Sequence, residues 1–110
     1  MNITEEKIQD IIFCKVEGEI NINTSPQLRK SFEDLIKSGS KKIIIDFSSV
    51  LYIDSSGLAT LIELFQRLKK TDGKLRICNM SERVRNVFEV TKLHKLFEIY
   101  DSRDLALEGF

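Results

Sequence analysis

A chain of 110 residues with 42% apolar and 31% charged residues has an ordinary globular composition, and it is long enough to bury a core without staples. Seventeen basic and seventeen acidic residues cancel, so there is no electrostatic footprint for nucleic acid. No apolar run nears the roughly 20 residues of a membrane span, and the opening MNITEEKIQD lacks a signal-peptide layout. Cys14 and Cys78 stand alone, with no CxxC or Cys/His cluster, and read as buried small hydrophobes in a reducing compartment. These features point to a cytoplasmic protein with protein partners, no metal and no cofactor.

The first segment, Asn2 to Lys7, reads as a weak strand that pairs through Gln9-Asp10 with Asp10 to Glu17. The latter, DIIFCKVE, alternates: Ile12, Cys14 and Val16 on one face, Ile11, Phe13 and Lys15 on the other. Gly18 to Asn23 reads as a loop. Thr24 and Gln27 then fit a capping box, with Pro26 tolerated in the first turn. Leu28, Phe32, Leu35 and Ile36 form one helical face, and Gly39 stops the helix. Lys41 to Phe47 is the next strand. A second helix is expected from Gly57 to about Lys70, with Leu58, Leu61, Ile62, Phe65 and Leu68 in helical spacing and Asp72-Gly73 at its end. Lys74 to Cys78 reads as a strand. Ser81 caps a third helix to about Val90, with Val84, Val87 and Phe88 inward. Leu96 to Tyr100 is a last strand, and Ser102 to Glu108 a short final helix.

The order β-β-α-β-α-β-α-β-α implies one α/β domain over residues 1–110. Its expected sheet is mixed and largely parallel, of about five strands, with about four helices mainly on one face. One strand face collects Ile12, Cys14, Val16, Ile43, Ile45, Phe47, Leu75, Ile77, Phe97 and Ile99. The other mixes Ile11, Phe13 and Ile44 with Lys15, Asp46, Arg76 and Glu98. Cys14 and Cys78 fall on opposite faces, which argues against a disulfide.

The stretch YIDSSGLATL, Tyr52 to Leu61, places Asp54-Ser55-Ser56-Gly57 at the seam between a strand and a helix. Ser55 or Ser56 could be an N-cap only. The free amides and positive end of a helix N-terminus could equally accommodate a phosphate, with Gly57 removing a side chain that would crowd its approach. A phosphate adds about −1.5 to −2 charges. The helix end favours it by roughly 0.5–2 kcal/mol, and Asp54 opposes it by a similar amount, so the fold should survive it. An interface packed over it would lose on the order of a thousandfold in affinity. Catalysis is not expected: there is no Gly-x-Ser-x-Gly elbow and no P-loop, and the single histidine, His94, lies in a polar stretch after the third helix.

The run IIIDFSSVLYIDSSGLATL, preceded by VEGEIN and SPQLRKSF and followed by LRICNMSERVRNVFEVTKLHKLFEIYDS, resembles the STAS domain of bacterial anti-sigma factor antagonists over nearly the whole chain. The resemblance implies a partner switch. The unphosphorylated antagonist binds an anti-sigma factor with serine kinase activity and frees a sigma factor. Phosphorylation of the serine after the motif aspartate releases the antagonist, and a serine phosphatase resets it. That serine is Ser55 here, with Ser56 as the alternative. Asp54 would orient the hydroxyl or shape the interface. The implied contact surface is the Ile20–Ser25 loop, including Asn21 and Thr24, the seam with Ser56 and Gly57, and the exposed side of the second helix at Thr60, Glu63, Gln66 and Arg67. Asn21 stands where many relatives carry aspartate, and Lys92 replaces a common glycine. STAS-like domains also imply an alternative, a non-phosphorylated scaffold or binding subunit in a signalling or lipid-transport assembly.

Overall fold

Nine regular elements follow one another along the computed structural model, which describes residues 1–110. They are β1 (Asn2–Ile8), β2 (Ile11–Ile20), α1 (Ser25–Lys37), β3 (Lys42–Ile53), α2 (Ser55–Lys70), β4 (Lys74–Cys78), α3 (Glu82–Val90), β5 (Glu98–Tyr100) and α4 (Arg103–Leu107), with a 3-10 turn at Leu93–Lys95. The strands lie in sequence order, β1-β2-β3-β4-β5. β1 pairs antiparallel with β2, and every later neighbour is parallel. The hairpin turns at Gln9, whose φ of 56° is left-handed.

Right-handed crossovers between sequential parallel strands put α1, α2 and α3 on one face of the sheet. The main core forms there. Cys14, Val16, Ile43, Ile45, Phe47 and Ile77 meet Leu28 and Phe32 of α1, Leu61, Leu64 and Leu68 of α2, and Val84 and Phe88 of α3. Phe47, Phe88, Phe97 and Phe65 make successive edge-to-face contacts, with centroids 6.4, 5.8 and 5.6 Å apart. Such geometry adds about 0.5–1.5 kcal/mol per pair beyond burial.

Both strands that lead to the seam are longer than the sequence suggests. β2 continues through Gly18 to Ile20, so the expected loop there is mostly strand, and β3 runs past Phe47 to Ile53. Register shifts between Lys15 and Glu17 and between Gly18 and Glu19 break the period-two pattern. Val50 and Ile53 still face the core although the alternation is interrupted. β5 is shorter than expected, because the amides of Leu96 and Phe97 bond back to the Leu93 carbonyl of the 3-10 turn, yet Phe97 stays buried in the main core. Lys92 sits at φ 65°, the left-handed conformation that glycine adopts freely.

α4 lies on the opposite face, where Ala106 packs with Ile11, Phe13, Ile44 and Cys78. The two cysteines therefore occupy different cores and remain free thiols. Burial, helped by Glu5, pushes the Cys14 thiol up to about 12. Burial, then Asp46, does the same for Cys78, against a smaller opposing effect of Arg103, again to about 12.

Two polar side chains of this second face, Asp46 and Arg76, are more buried than their chemistry suggests. Asp46 accepts from the Ser48 amide at 2.9 Å and from Asn79 Nδ2 at 3.1 Å. Arg76, only 7% exposed, donates through Nη1 to the carbonyls of Ala106 (2.9 Å) and Glu108 (2.8 Å). Its guanidinium lies 4.4 Å from the Phe110 ring centre and 5.1 Å from that of Tyr100. Arg76 thus holds the end of a five-residue helix that is too short to persist alone. Arg76→Ala should lower stability in urea unfolding by about 2–4 kcal/mol, with the amides of residues 103–108 losing protection from hydrogen exchange first.

Candidate functional site

β2 and β3 end side by side, with Ile20 paired to Ile53. Both chains then turn into helices, so the starts of α1 and α2 share the carboxyl edge of the sheet, the usual ligand edge of an α/β fold. Asp54 sits at the junction in an extended conformation, φ −107° and ψ −173°. Its amide donates to the Ile20 carbonyl at 3.0 Å. Its Oδ1 accepts from the amides of Ser56 (2.9 Å) and Gly57 (3.1 Å), and its Oδ2 accepts from the Ile22 amide at 3.2 Å.

Asp54 is therefore the N-cap of α2, which removes the alternative in which Ser55 or Ser56 is only an N-cap. A carboxylate is a stronger acceptor for two amides than a hydroxyl, and it also balances the positive helix end. α2 accordingly starts at Ser55, two residues before Gly57. Ser55 is exposed, and no hydrogen bond within the chain engages its hydroxyl. Ser56 is half-buried, and its carbonyl accepts from Thr60 Oγ1 at 3.0 Å.

The facing loop is organised by Asn21. Its Oδ1 accepts from the amides of Asn23 (2.9 Å) and Thr24 (3.2 Å), and its carbonyl accepts from Ser25 Oγ at 2.7 Å. The capping box expected at Thr24 is absent. Thr24 has near-helical backbone angles, φ −102° and ψ −19°, and makes no side-chain cap. Its hydroxyl instead donates to the Glu19 carbonyl at 2.8 Å and accepts from the Asn21 amide at 2.9 Å. Gln27 reaches away to the Met1 carbonyl at 3.1 Å. What the loop requires of position 21 is an acceptor oxygen, which asparagine and aspartate both supply. The loop keeps its shape here without the charge.

Two residues expected on the contact surface are buried. A Cβ on Gly57 would stand 2.6 Å from Ile20 Cγ2 and 2.7 Å from Ile53 Cγ1. Its missing side chain lets α2 close onto the two strand ends; it does not clear space for a phosphate. Thr60 is 2% exposed, because α1 packs beside α2 and widens the buried stripe to take in Gly57, Thr60 and Leu64. Glu63 and Arg67 are half-exposed and Gln66 is exposed. Glu63 ion-pairs with Arg29 of α1 at 3.0 Å, across two half-exposed side chains, and so contributes little to stability.

The rim also carries apolar groups that sequence reasoning passed over. Ile22 is 71% exposed and Tyr52 is 41% exposed, with the Arg83 guanidinium 6.0 Å from the Tyr52 ring centre. An isoleucine inside a run of asparagines and threonine was the available signal. His94 follows α3 and belongs to the opposite edge of the sheet, exposed, with Nδ1 3.4 Å from the Phe88 carbonyl. The seam is thus a fixed rim around two free hydroxyls, that of Ser55 exposed and that of Ser56 half-buried. Such a hydroxyl can accept a phosphoryl group from another protein, while the neighbouring carboxylate is already committed to three amides.

The chain matches the STAS domain family model over residues 2–106. It is 28% identical over 102 residues to the anti-sigma-B factor antagonist of Staphylococcus aureus, covering 93% of this chain and 92% of that protein. The crystal structure of an anti-sigma factor antagonist from Mycobacterium paratuberculosis matches with a TM-score of 0.88 at 26% identity, covering 96% of this chain and 90% of the other. The Bacillus protein SpoIIAA in its phosphorylated form matches in fold, with a TM-score of 0.74 at 21% identity over 97% of both chains. No helix is long and apolar enough to cross a membrane.

The two faces of the seam should respond differently to the same small substitution. Gly57→Ala forces a methyl between Ile20 and Ile53 and should cost about 1–3 kcal/mol in chemical denaturation. Ser55→Ala, on the exposed side, should stay within about 0.5 kcal/mol of the parent.

Proposed function

The chain belongs to the STAS domain family, and from that premise we propose that it is an anti-sigma factor antagonist controlled by phosphorylation of Ser55. Unphosphorylated, it binds an anti-sigma factor with serine kinase activity in the cytoplasm and so releases a sigma factor. The bound kinase transfers phosphate to Ser55, binding ends, and a serine phosphatase restores the cycle. The relatives named as anti-sigma factor antagonists support the partner class. The observation that carries the switch is the exposed, unbonded hydroxyl of Ser55 on the first residue of α2, beside a carboxylate already held by three amides.

The energetics favour a switch of binding over a switch of folding. A phosphate on Ser55 would meet the positive helix end, worth roughly 0.5–2 kcal/mol, and the opposing Asp54 carboxylate. Neither disturbs the apolar contacts beneath. A partner seated on the rim would have to bury an unpaired dianion. The proposed contact runs over Asn21 and Thr24 in the loop, Asp54, Ser55 and Ser56 at the seam, and Glu63, Gln66 and Arg67 along α2. Gly57 and Thr60 serve it from below by fixing where α2 starts. The protein acts by binding, and the chemistry belongs to its kinase and phosphatase.

Ser55→Asp tests this reading in isothermal titration with a kinase-type anti-sigma factor from the same organism. Affinity should fall by about a hundredfold or more, while Ser55→Ala should bind normally and resist release by ATP. Equal binding by parent and Ser55→Asp proteins would instead describe a constitutive scaffold.

A further inference from the structure

We infer that the edge of the sheet opposite the seam docks on an anionic phospholipid surface. Charges that cancel over the whole chain separate in the fold. Of eleven lysines, Lys15, Lys30 and Lys42 are ion-paired, with Glu17, Asp34 and Asp10. The other eight have no ion pair, and the topology carries all of them to the edge where the parallel strands begin. Lys37 ends α1, Lys69 and Lys70 end α2, and Lys92 follows α3. Lys41 and Lys74 stand at the starts of β3 and β4, Lys7 lies opposite Ile12 near the start of β2, and Lys95 ends the 3-10 turn before β5. The carboxylates at this edge are Asp10, already held by Lys42, and Asp72, Glu89 and Glu108. Helix C-termini favour basic residues, which accounts for Lys37, Lys69, Lys70 and Lys92. It does not account for Lys7, Lys41 and Lys74. These three and Lys42 line a cavity of about 540 Å3, with Asp10 and Asp72 on its wall.

The chemistry of the edge fits lipid better than a folded partner. Its charge comes from lysine. The arginines are used elsewhere: Arg76 is buried under α4, and Arg29, Arg85 and Arg103 are ion-paired. Arg67 lies in the groove between α1 and α2, and Arg83 lies over Tyr52. Guanidinium forks read single carboxylates and phosphates, whereas ammonium groups on long stems suit diffuse attraction to a layer of headgroups. The carbonyl ends of α1, α2 and α3 also face this edge, so a small anion seated against the backbone would meet negative helix ends. A headgroup layer stays at the reach of the lysine stems. Val90, 76% exposed, and Leu96, 42% exposed, stand beside Lys92 and Lys95 and can sink among the headgroups. Docked this way, the molecule turns Ser55 and its rim away from the membrane, within reach of a partner.

Vesicle flotation of the full chain tests the docking edge. Mixed phosphatidylglycerol and phosphatidylcholine vesicles should carry the protein at low salt, phosphatidylcholine alone should not, and added salt should strip it. Lys7→Gln/Lys41→Gln/Lys74→Gln should weaken partitioning by about a hundredfold, at roughly fivefold per lysine. Its melting should not change, because none of the three is ion-paired or helical. Lys15→Gln/Lys30→Gln/Arg83→Gln makes the same change in net charge away from the edge and should stay within about twofold of the parent. A second readout needs no variant. Nanodiscs of the same lipids carrying a nitroxide headgroup should broaden the NMR amides of Lys37 to Lys42 and of Lys70 to Lys74, and leave those of Asp54 to Gly57 sharp. Equal losses in the two triple variants, or broadening centred on the seam, overturn the assignment. So does a parent chain that does not float at low salt. Tighter capture by polyglutamate or duplex DNA than by the vesicles overturns it too, and makes the edge a site for an acidic protein or a nucleic acid.

Discussion

The seam depends on one carboxylate placed where two parallel strands end together. Ile20 and Ile53 stop at the same level of the sheet, and Asp54 follows directly. Its two oxygens hold the start of α2 and the loop that leads to α1. Gly57 makes the arrangement possible, because any side chain there would collide with both isoleucines. The position of Ser55 follows from these contacts. It is the first helical residue, on the side of α2 that faces solvent, over a core that does not yield.

That combination suits a modification that has to be tolerated by the fold and rejected by a partner. The core below the seam is apolar and closely packed, and its stability does not involve the Ser55 hydroxyl. The rim above it is held by hydrogen bonds among Asn21, Thr24, Ser25 and Asp54. A charged group added at Ser55 therefore finds a rigid surface, and its cost falls on whatever covers that surface. The opposite face of the sheet serves a different purpose: Arg76 and α4 close over Ile11, Phe13, Ile44 and Cys78, far from the seam in the layering of the fold.

Much of this was legible in the sequence. Periodicity gave the element order, the faces of β2, β3 and β4, and the placement of the two cysteines in separate layers. The ends of β2 and β3 were not legible, because register shifts interrupt the alternation that marks a strand. Thr24 and Gln27 matched a capping pattern, yet the oxygen of Asn21 does the organising; several acceptors three residues from an amide look alike in a string. The pattern also read Thr60 as surface because it is polar, whereas the neighbouring helix covers it. Asp54 was recognised as part of the seam, but its reach to Ile22 joins positions 32 apart, and only the sheet brings them together.

Phosphopeptide mapping of residues 43–67 on protein isolated from its native cells, in growth and under stress, tests the central claim most directly. The account predicts phosphate on Ser55, at an occupancy that changes with condition. A chain that carries no phosphate in this region under any condition would contradict it, and would leave the seam a capped turn on a constitutive binding module.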